Sequence, residues 1–278
     1  MDTVYKKKLT GYAETNLVEC YEFKPKNLSD CKEILQYALK NNLSVCCKGA
    51  GLSYADIITN ENNLVLDLSL MNNIKSWNNK NGEIIVESGV TFKQVFELTF
   101  LNNWILTSCP GSIDITIGGA VSNNVHGKDS YKFGNFGHQV KELTLLLASG
   151  EIKTIDKESD LNLFNSVIGG MGLLGIIIEI KIQLKRIPSQ FVETQEIITN
   201  NIYETLDLIE QKKNYYDFYV AWVDCYELKK HKIGKGFVAF ARWSSKTYKF
   251  DEKKLYKSFK KSNKLFNTIP ISLAWPLV

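Results

Sequence analysis

The sequence predicts an α+β fold, because segments of two different periods share one chain and neither helices nor strands alone account for it. Short β-rich runs end at glycines, other segments repeat apolar residues at helical spacing, and clusters of glycine separate the two kinds. With 278 residues and 44% hydrophobic content, the chain can bury one large core or two smaller ones.

Taken in order, residues 27–39 form a helix with Ile34, Leu35, Ala38 and Leu39 on one apolar face. Residues 44–48 are a brief strand that stops at Gly49, 64–68 are a second, and 83–88 (EIIVES) are a third that closes at Gly89. The period changes over 91–102. There Phe92, Val95, Phe96 and Phe100 recur at helical spacing behind Thr91 as N-cap, and Asn102-Asn103 is the stop. Residues 140–155 are two β-rich runs around Ala148-Ser149-Gly150, a hairpin signal. Residues 160–168 return to helix. Beyond Gly175, Ile176, Ile178, Ile180, Ile182 and Leu184 alternate with polar residues, as a strand with one buried face requires.

Arg186-Ile187-Pro188-Ser189 breaks that strand and marks the expected boundary between a domain over 1–188 and the beginning of a second over 189–278. The second resumes with a strand at 194–199, a helix at 202–213 and two aromatic-rich strands at 215–223 and 236–243, a strand-helix-strand lid. The terminal TIPISLAWPLV stops in apolar residues without a cap, as expected of a chain that continues or is a fragment.

A net charge of +4 with lysine interspersed among acidic residues argues against a dedicated nucleic-acid binder. Lys229, Lys230, Lys232 and Lys235, and the lysines from Lys253 to Lys264, read first as a solvated face. Cys20, Cys31, Cys46, Cys47, Cys109 and Cys225 form no C-x-x-C pair and have no histidine-rich companion, so buried free thiols are expected and no metal site. Neither a signal-peptide core nor an apolar span is present, and cytoplasmic residence is the default.

Candidate chemistry sits in the glycines. Pro110 to Lys128, PGSIDITIGGAVSNNVHGK, carries four glycines in a stretch too apolar for a surface linker, which suggests backbone turned toward a bound cofactor. Gly49-Ala50-Gly51-Leu52-Ser53-Tyr54 follows a strand and suits an anion nest. Gly170, Gly172 and Gly175 satisfy G-x-G-x-x-G, but a helix precedes them and a strand follows, the reverse of a dinucleotide turn. Of three histidines, His126 stands beside Gly127 and Lys128, an imidazole able to move protons next to an ammonium able to steady an anion. His138 carries no such company, and His231 reads as surface.

In this order and spacing, GAGLSYAD, PGSIDITIGGAVSNNVHGK, FGNFGHQVKELTLLLASGEI and IGGMGLLGIIIEIKI resemble the PCMH-type FAD-binding domain of the vanillyl-alcohol oxidase and p-cresol methylhydroxylase superfamily. Within it they are most similar to the oxidase subunits of decaprenylphosphoryl-β-D-ribose 2'-epimerases, with D-arabinono-1,4-lactone oxidases as neighbours. The likeness runs from Leu9 to about Pro188, and more weakly through 221–224 and 233–236.

The resemblance implies FAD held extended between two α/β subdomains, followed by the start of an α+β cap domain. Gly49, Ala50, Gly51, Leu52, Ser53 and Tyr54 would cradle the diphosphate. Pro110, Gly111, Ser112 and Thr116 would line flavin and diphosphate together with Gly118, Gly119, Ala120, Ser122, Asn123 and His126. Gly172, Gly175, Ile176 and Ile177 would meet the adenosine half. His126 and Lys128 would be catalytic, in oxidation of a sugar secondary alcohol: a base takes the hydroxyl proton while hydride passes to flavin N5.

A prenyl-phosphate-linked pentose is one substrate the resemblance implies, with a reductase partner completing an epimerisation and peripheral contact at the inner face of a membrane. An aldonolactone oxidase and a truncated FAD-binding module without turnover are the alternatives. Leu52 stands where many relatives tether the flavin through histidine, so the resemblance implies non-covalent FAD. Members of the family are longer and carry a lysine of their active site in the C-terminal part.

Overall fold

Strand pairing in the first half of the chain is set by a β-α-β crossover. The structure is a computed structural model and describes residues 6–226 and 233–247. Strand β1 (Lys6–Leu9) pairs antiparallel with β2 (Val18–Phe23), and helix α1 (Leu28–Lys40) then carries the chain to β3 (Val45–Lys48). Both β2 and β3 lie parallel to β4 (Leu64–Asp67), giving the order β1-β2-β4-β3. Asn27 caps α1 through a bond from Asp30 N–H, and Cys31, Ile34 and Ala38 face the sheet. Leu39 does not share that face as the sequence pattern suggested: it is 81% exposed, because the α1 surface that meets the sheet is narrower than the run of apolar residues.

A second, antiparallel sheet follows. It uses β5 (Ile74–Asn78), β6 (Glu83–Glu87), β8 (Val140–Leu146), β9 (Ile152–Asp156) and β10 (Ile176–Gln183) in the order β5-β6-β10-β8-β9. Ile180 pairs with Val86 on one side and Leu143 on the other, and all three are fully buried. The β8–β9 connection turns at Gly150, at φ 85°, as the hairpin signal required. Leu146, Ile176 and Ile178 from this sheet pack in one cluster with Leu64, Leu66 and Met71 of the first sheet region, so both sheets share a core.

Helix α2 (Phe92–Thr99) opens with a capping box. Gln94 N–H donates to Thr91 Oγ1 at 3.2 Å, and Thr91 N–H donates to Gln94 Oε1 at 2.9 Å. Its tail ends at Asn103, held left-handed at φ 63°. After β7 (Trp104–Ile105) the stretch expected to be a glycine loop holds a short helix, α3 (Ile117–Ser122), because Thr116 caps it through Gly119 N–H. Helices α4 (Ser130–Phe133) and α5 (Leu161–Val167) complete this half, with Asp160 capping α5.

The remainder begins with β11 (Lys185–Arg186), which pairs with β7. Three antiparallel strands, β12 (Val192–Thr199), β13 (Phe218–Val223) and β14 (Gly236–Trp243), run in the order β12-β14-β13, with helix α6 (Ile202–Lys212) connecting the first two in sequence.

The chain falls into two compact units that interleave along the sequence. One comprises Met1–Val95, Ile113–Val125 and Asn135–Leu184; the other comprises Phe96–Ser112, His126–Gly134 and Lys185–Val278. In the second unit Phe100, Ile105 and Ile187 form the core with Phe96 and Trp243 against them.

All six cysteines are free. Cys20 and Cys31 are buried, but Cys225 is exposed, because it lies past the last pairing of β13 rather than within the sheet. No helix of the described residues is long and apolar enough to cross a membrane, and no cluster of metal-ligating side chains occurs among them. Lys229, Lys230, His231, Lys232, the lysines from Lys253 onward and the apolar tail at 268–278 lie outside the described residues.

Candidate cofactor site

Three glycine-bearing segments, distant in sequence, meet in the first unit at the carboxyl ends of its parallel strands. The loop after β3 touches the start of α3: a Cβ on Gly49 would lie 2.2 Å from Thr116 Oγ1. The turn after α5 joins from the other side, as Met171 N–H donates to Ser122 O at 2.8 Å and Gly169 N–H to Val121 O at 2.9 Å. Gly172 closes over β3, its would-be Cβ 3.8 Å from the Cβ of Cys47. The carboxyl edge of parallel strands is where open α/β sheets receive ligands.

The donors available there are those of the first loop. In α3 the opening N–H groups are used internally: Ile117 donates to Val90 O at 2.7 Å, Gly118 to Ser88 O at 2.8 Å and Gly119 to Thr116 Oγ1 at 3.2 Å. By contrast, the backbone N–H groups of Ala50, Gly51, Leu52 and Ser53 have no protein acceptor among the described residues. Gly51 is left-handed at φ 75°, which turns successive amides into a concave row. Such a row fits a diphosphate, and FAD carries one.

The loop is braced on both flanks. Tyr12 N–H donates to Ser53 O at 2.8 Å, and the rings of Tyr12 and Tyr54 meet edge to face at 5.6 Å. Beneath it, Lys48 Nζ lies 2.8 Å from Asp67 and 2.9 Å from Glu22, and both carboxylates are almost fully buried. For Asp67, burial favours the neutral form, yet hydrogen bonds from Lys48, Ser69 and Lys24 outweigh it and hold the carboxyl at about 2. Glu22 is likewise held low, by Lys7 and Lys48 against burial.

Other expected residues take different places. Gly118, Ala120, Ile176 and Ile177 are buried in the packing behind α3 and in β10, where Ile176 pairs with Leu146 and Ile177 with Leu145. Asn123 is exposed and its side chain caps α3 by donating to Gly119 O at 2.9 Å. Gly175, at φ 151°, brings its backbone against Leu146 O.

Pro110, Gly111, Ser112, His126 and Lys128 belong to the second unit. There Gly127 passes so close to Cys109 that a Cβ would lie 2.6 Å from Cys109 O. Ser130 Oγ accepts from Gly127 N–H at 2.8 Å, and Tyr219 N–H donates to Lys128 O at 3.2 Å. His126 is exposed and Lys128 half-buried. Burial lowers the pKa of Lys128, opposed by the charge interaction with Cys109, whose own thiol is pushed up to about 12 by burial. Next in sequence, Asp129 is 3% exposed and accepts twice from Ser108 N–H, at 3.0 and 3.2 Å.

Sequence patterns overlooked Glu22, Lys48, Asp67 and Asp129. The available signal was a single charged residue ending an apolar strand, as in VCCK and LVLD.

Residues 21–156 match the FAD binding domain family. The chain therefore carries an FAD binding domain, with FAD as its cofactor. Over 75% of its length it is 27% identical to decaprenylphosphoryl-β-D-ribose oxidase of Mycolicibacterium smegmatis, covering 45% of that protein. It is 25% identical to L-gulonolactone oxidase of Bos taurus over 70% of this chain and 44% of the relative. It is 29% identical to a putative D-arabinono-1,4-lactone oxidase of Neurospora crassa over 60% of this chain and 29% of the relative. The fold is similar to that of an alkyldihydroxyacetonephosphate synthase, with a TM-score of 0.67 at 14% identity over 82% of this chain and 48% of the other. The chain thus spans under half the length of the curated relatives it matches.

Proposed function

We propose that this chain holds FAD non-covalently and serves an oxidoreductase that removes hydride from a secondary alcohol of a sugar. The observation that carries the reading is the row of unpartnered amides from Ala50 to Ser53, with Thr116 and the Gly172 turn around it. Leu52 offers no nucleophile for a covalent tether. When bound, the flavin supplies the two-electron acceptor.

The chain's own residues supply binding and proton handling. Gly49 to Tyr54 hold the diphosphate; Gly172 and Gly175 offer backbone to the adenosine half. Pro110, Gly111 and Ser112 belong to the flavin-lining set. His126 receives the proton of the substrate hydroxyl at an imidazole nitrogen, and the half-buried Lys128 ammonium steadies the oxygen from which it leaves. Both assignments rest on their match to the HGK residues of the family.

The likeness to decaprenylphosphoryl-β-D-ribose oxidase favours a prenyl-phosphate-linked pentose as substrate; a reductase partner and peripheral membrane contact rest on the family resemblance of the sequence motifs alone. The likeness to L-gulonolactone oxidase favours an aldonolactone instead. The test is the visible spectrum of the chain after FAD addition and desalting, before and after acid precipitation. Flavin bands that move to the acid supernatant support the cofactor reading; a desalted chain without flavin overturns it. Bleaching by a pentose derivative or by an aldonolactone then separates the substrate readings, and a flavin that no sugar bleaches favours a module without turnover.

A further inference from the structure

The carboxyl edge of β2, β4 and β3 poses an electrostatic problem for a diphosphate. Glu22 and Asp67 are 7% and 3% exposed at their side chains, two carboxylates at the foot of the loop that would receive an anion. Buried charge is poorly screened by salt or water, so an uncompensated pair there would repel the ligand. Three lysines answer them: Lys7 on Glu22 at 2.6 Å, Lys24 on Asp67 at 3.1 Å, and Lys48 on both. The first two are about half exposed, and exposed pairs contribute little. Lys48 is 16% exposed, bridges both carboxylates, and runs its stem along the loop, with Cε 3.5 Å from where a Gly51 Cβ would stand.

We propose that Lys48 is an electrostatic positioning residue for the cofactor loop: clamped by Glu22 and Asp67, it masks both from the diphosphate and supports Gly51 from below. The inference rests on the reading that Ala50 to Ser53 receive the diphosphate. Lys48 touches no reacting atom. It acts through the loop, and the two carboxylates set its place.

A purely structural role would make the same network a fastener of the strand edge, and the two roles part at Asp67. Asp67→Asn keeps the shape and the acceptor for Ser69 N–H while removing one buried charge. As a fastener the substitution weakens the fold and, with it, FAD binding. As a masked repulsive charge it weakens the fold yet tightens FAD.

The experiment titrates the whole apo chain with FAD by flavin fluorescence, with ADP as competitor and thermal melting measured alongside, for wild type, Lys48→Met, Lys48→Arg and Asp67→Asn. Lys48→Met is expected to weaken FAD and ADP by about tenfold, Lys48→Arg to stay within about twofold, and Asp67→Asn to melt earlier while binding FAD about threefold more tightly. A folded Lys48→Met that binds FAD as wild type does, or an Asp67→Asn that binds it no better, overturns the proposal. If Lys48→Met does not fold, the Asp67→Asn comparison decides alone. A wild-type chain that takes up no FAD overturns the cofactor site itself, a result visible before any variant is compared.

Discussion

Gly49 and Thr116 approach so closely that any Cβ on Gly49 would stand 2.2 Å from the Thr116 hydroxyl oxygen. That oxygen cannot simply swing aside, because it caps α3 by accepting from Gly119 N–H. Gly49→Ala should therefore cost about 1–3 kcal/mol and lower FAD occupancy, by pushing the loop off α3. Thr116→Ala alone should cost about 1 kcal/mol through the lost cap. Combined, the two should cost less than their sum, since the second removes the atom the first collides with. Thermal melting of the four proteins measures the coupling; strict additivity would show that the two loops do not meet as described.

The acid limb of stability should belong largely to Asp67. Its carboxyl is held at about 2, below the unfolded value near 3.8, so the stability it contributes is fully present above the unfolded value and is lost as pH falls through the folded one. Melting temperature should therefore decline between about pH 4 and pH 2, and Asp67→Asn should start lower and decline less steeply over that window. Equal slopes for the two proteins would assign the acid limb to other carboxylates.

Asp129 points the other way. Burial raises its pKa above the ordinary aspartate range, opposed by the Ser108 N–H bond and Lys185, with Asp217 adding to the rise. A raised folded value favours the fold at low pH and loses that contribution as pH climbs through it. Asp129→Asn keeps an acceptor for Ser108 and carries no charge. It should melt at or above the wild-type temperature at about pH 8, with the advantage shrinking toward about pH 4. A variant that melts well below wild type at the higher pH would mean the ionised carboxylate is itself stabilising.

The contrast between these two aspartates also marks how far the sequence could be read. Period and capping residues identify α1, α2, α5 and α6 and the buried alternation of β10, because those signals are local. Strand β1 reads Lys-Lys-Lys-Leu and β5 carries little apolar pattern, since their pairing partners rather than their own residues make them strands. The glycine segments are legible as special positions, but α3 within them is not, as two adjacent glycines disfavour helix until Thr116 and Ser88 anchor it. Nothing local says that Lys48 answers Asp67 and Glu22, which lie 19 and 26 residues away.

Lys128 gives the sharpest test of the proposed chemistry. Its ammonium is half-buried, its pKa lowered by burial against the opposing effect of Cys109, and its backbone is tied to β13 through Tyr219. An ammonium so placed sheds its proton below the usual lysine value as pH rises. If it steadies the substrate oxygen as a cation, the rate at which a sugar or lactone bleaches the flavin should fall on the alkaline side through that lowered pKa. Lys128→Met should keep FAD and lose about 10²–10⁴ in that rate. Lys128→Arg should retain part of it without the alkaline fall, since guanidinium stays charged throughout. His126→Ala should likewise keep FAD and lose rate, because the side chain proposed to accept the hydroxyl proton is gone. Stopped-flow flavin reduction across pH for the four proteins separates the two roles: a Met variant as fast as wild type removes Lys128 from the chemistry, and an Ala variant as fast removes His126.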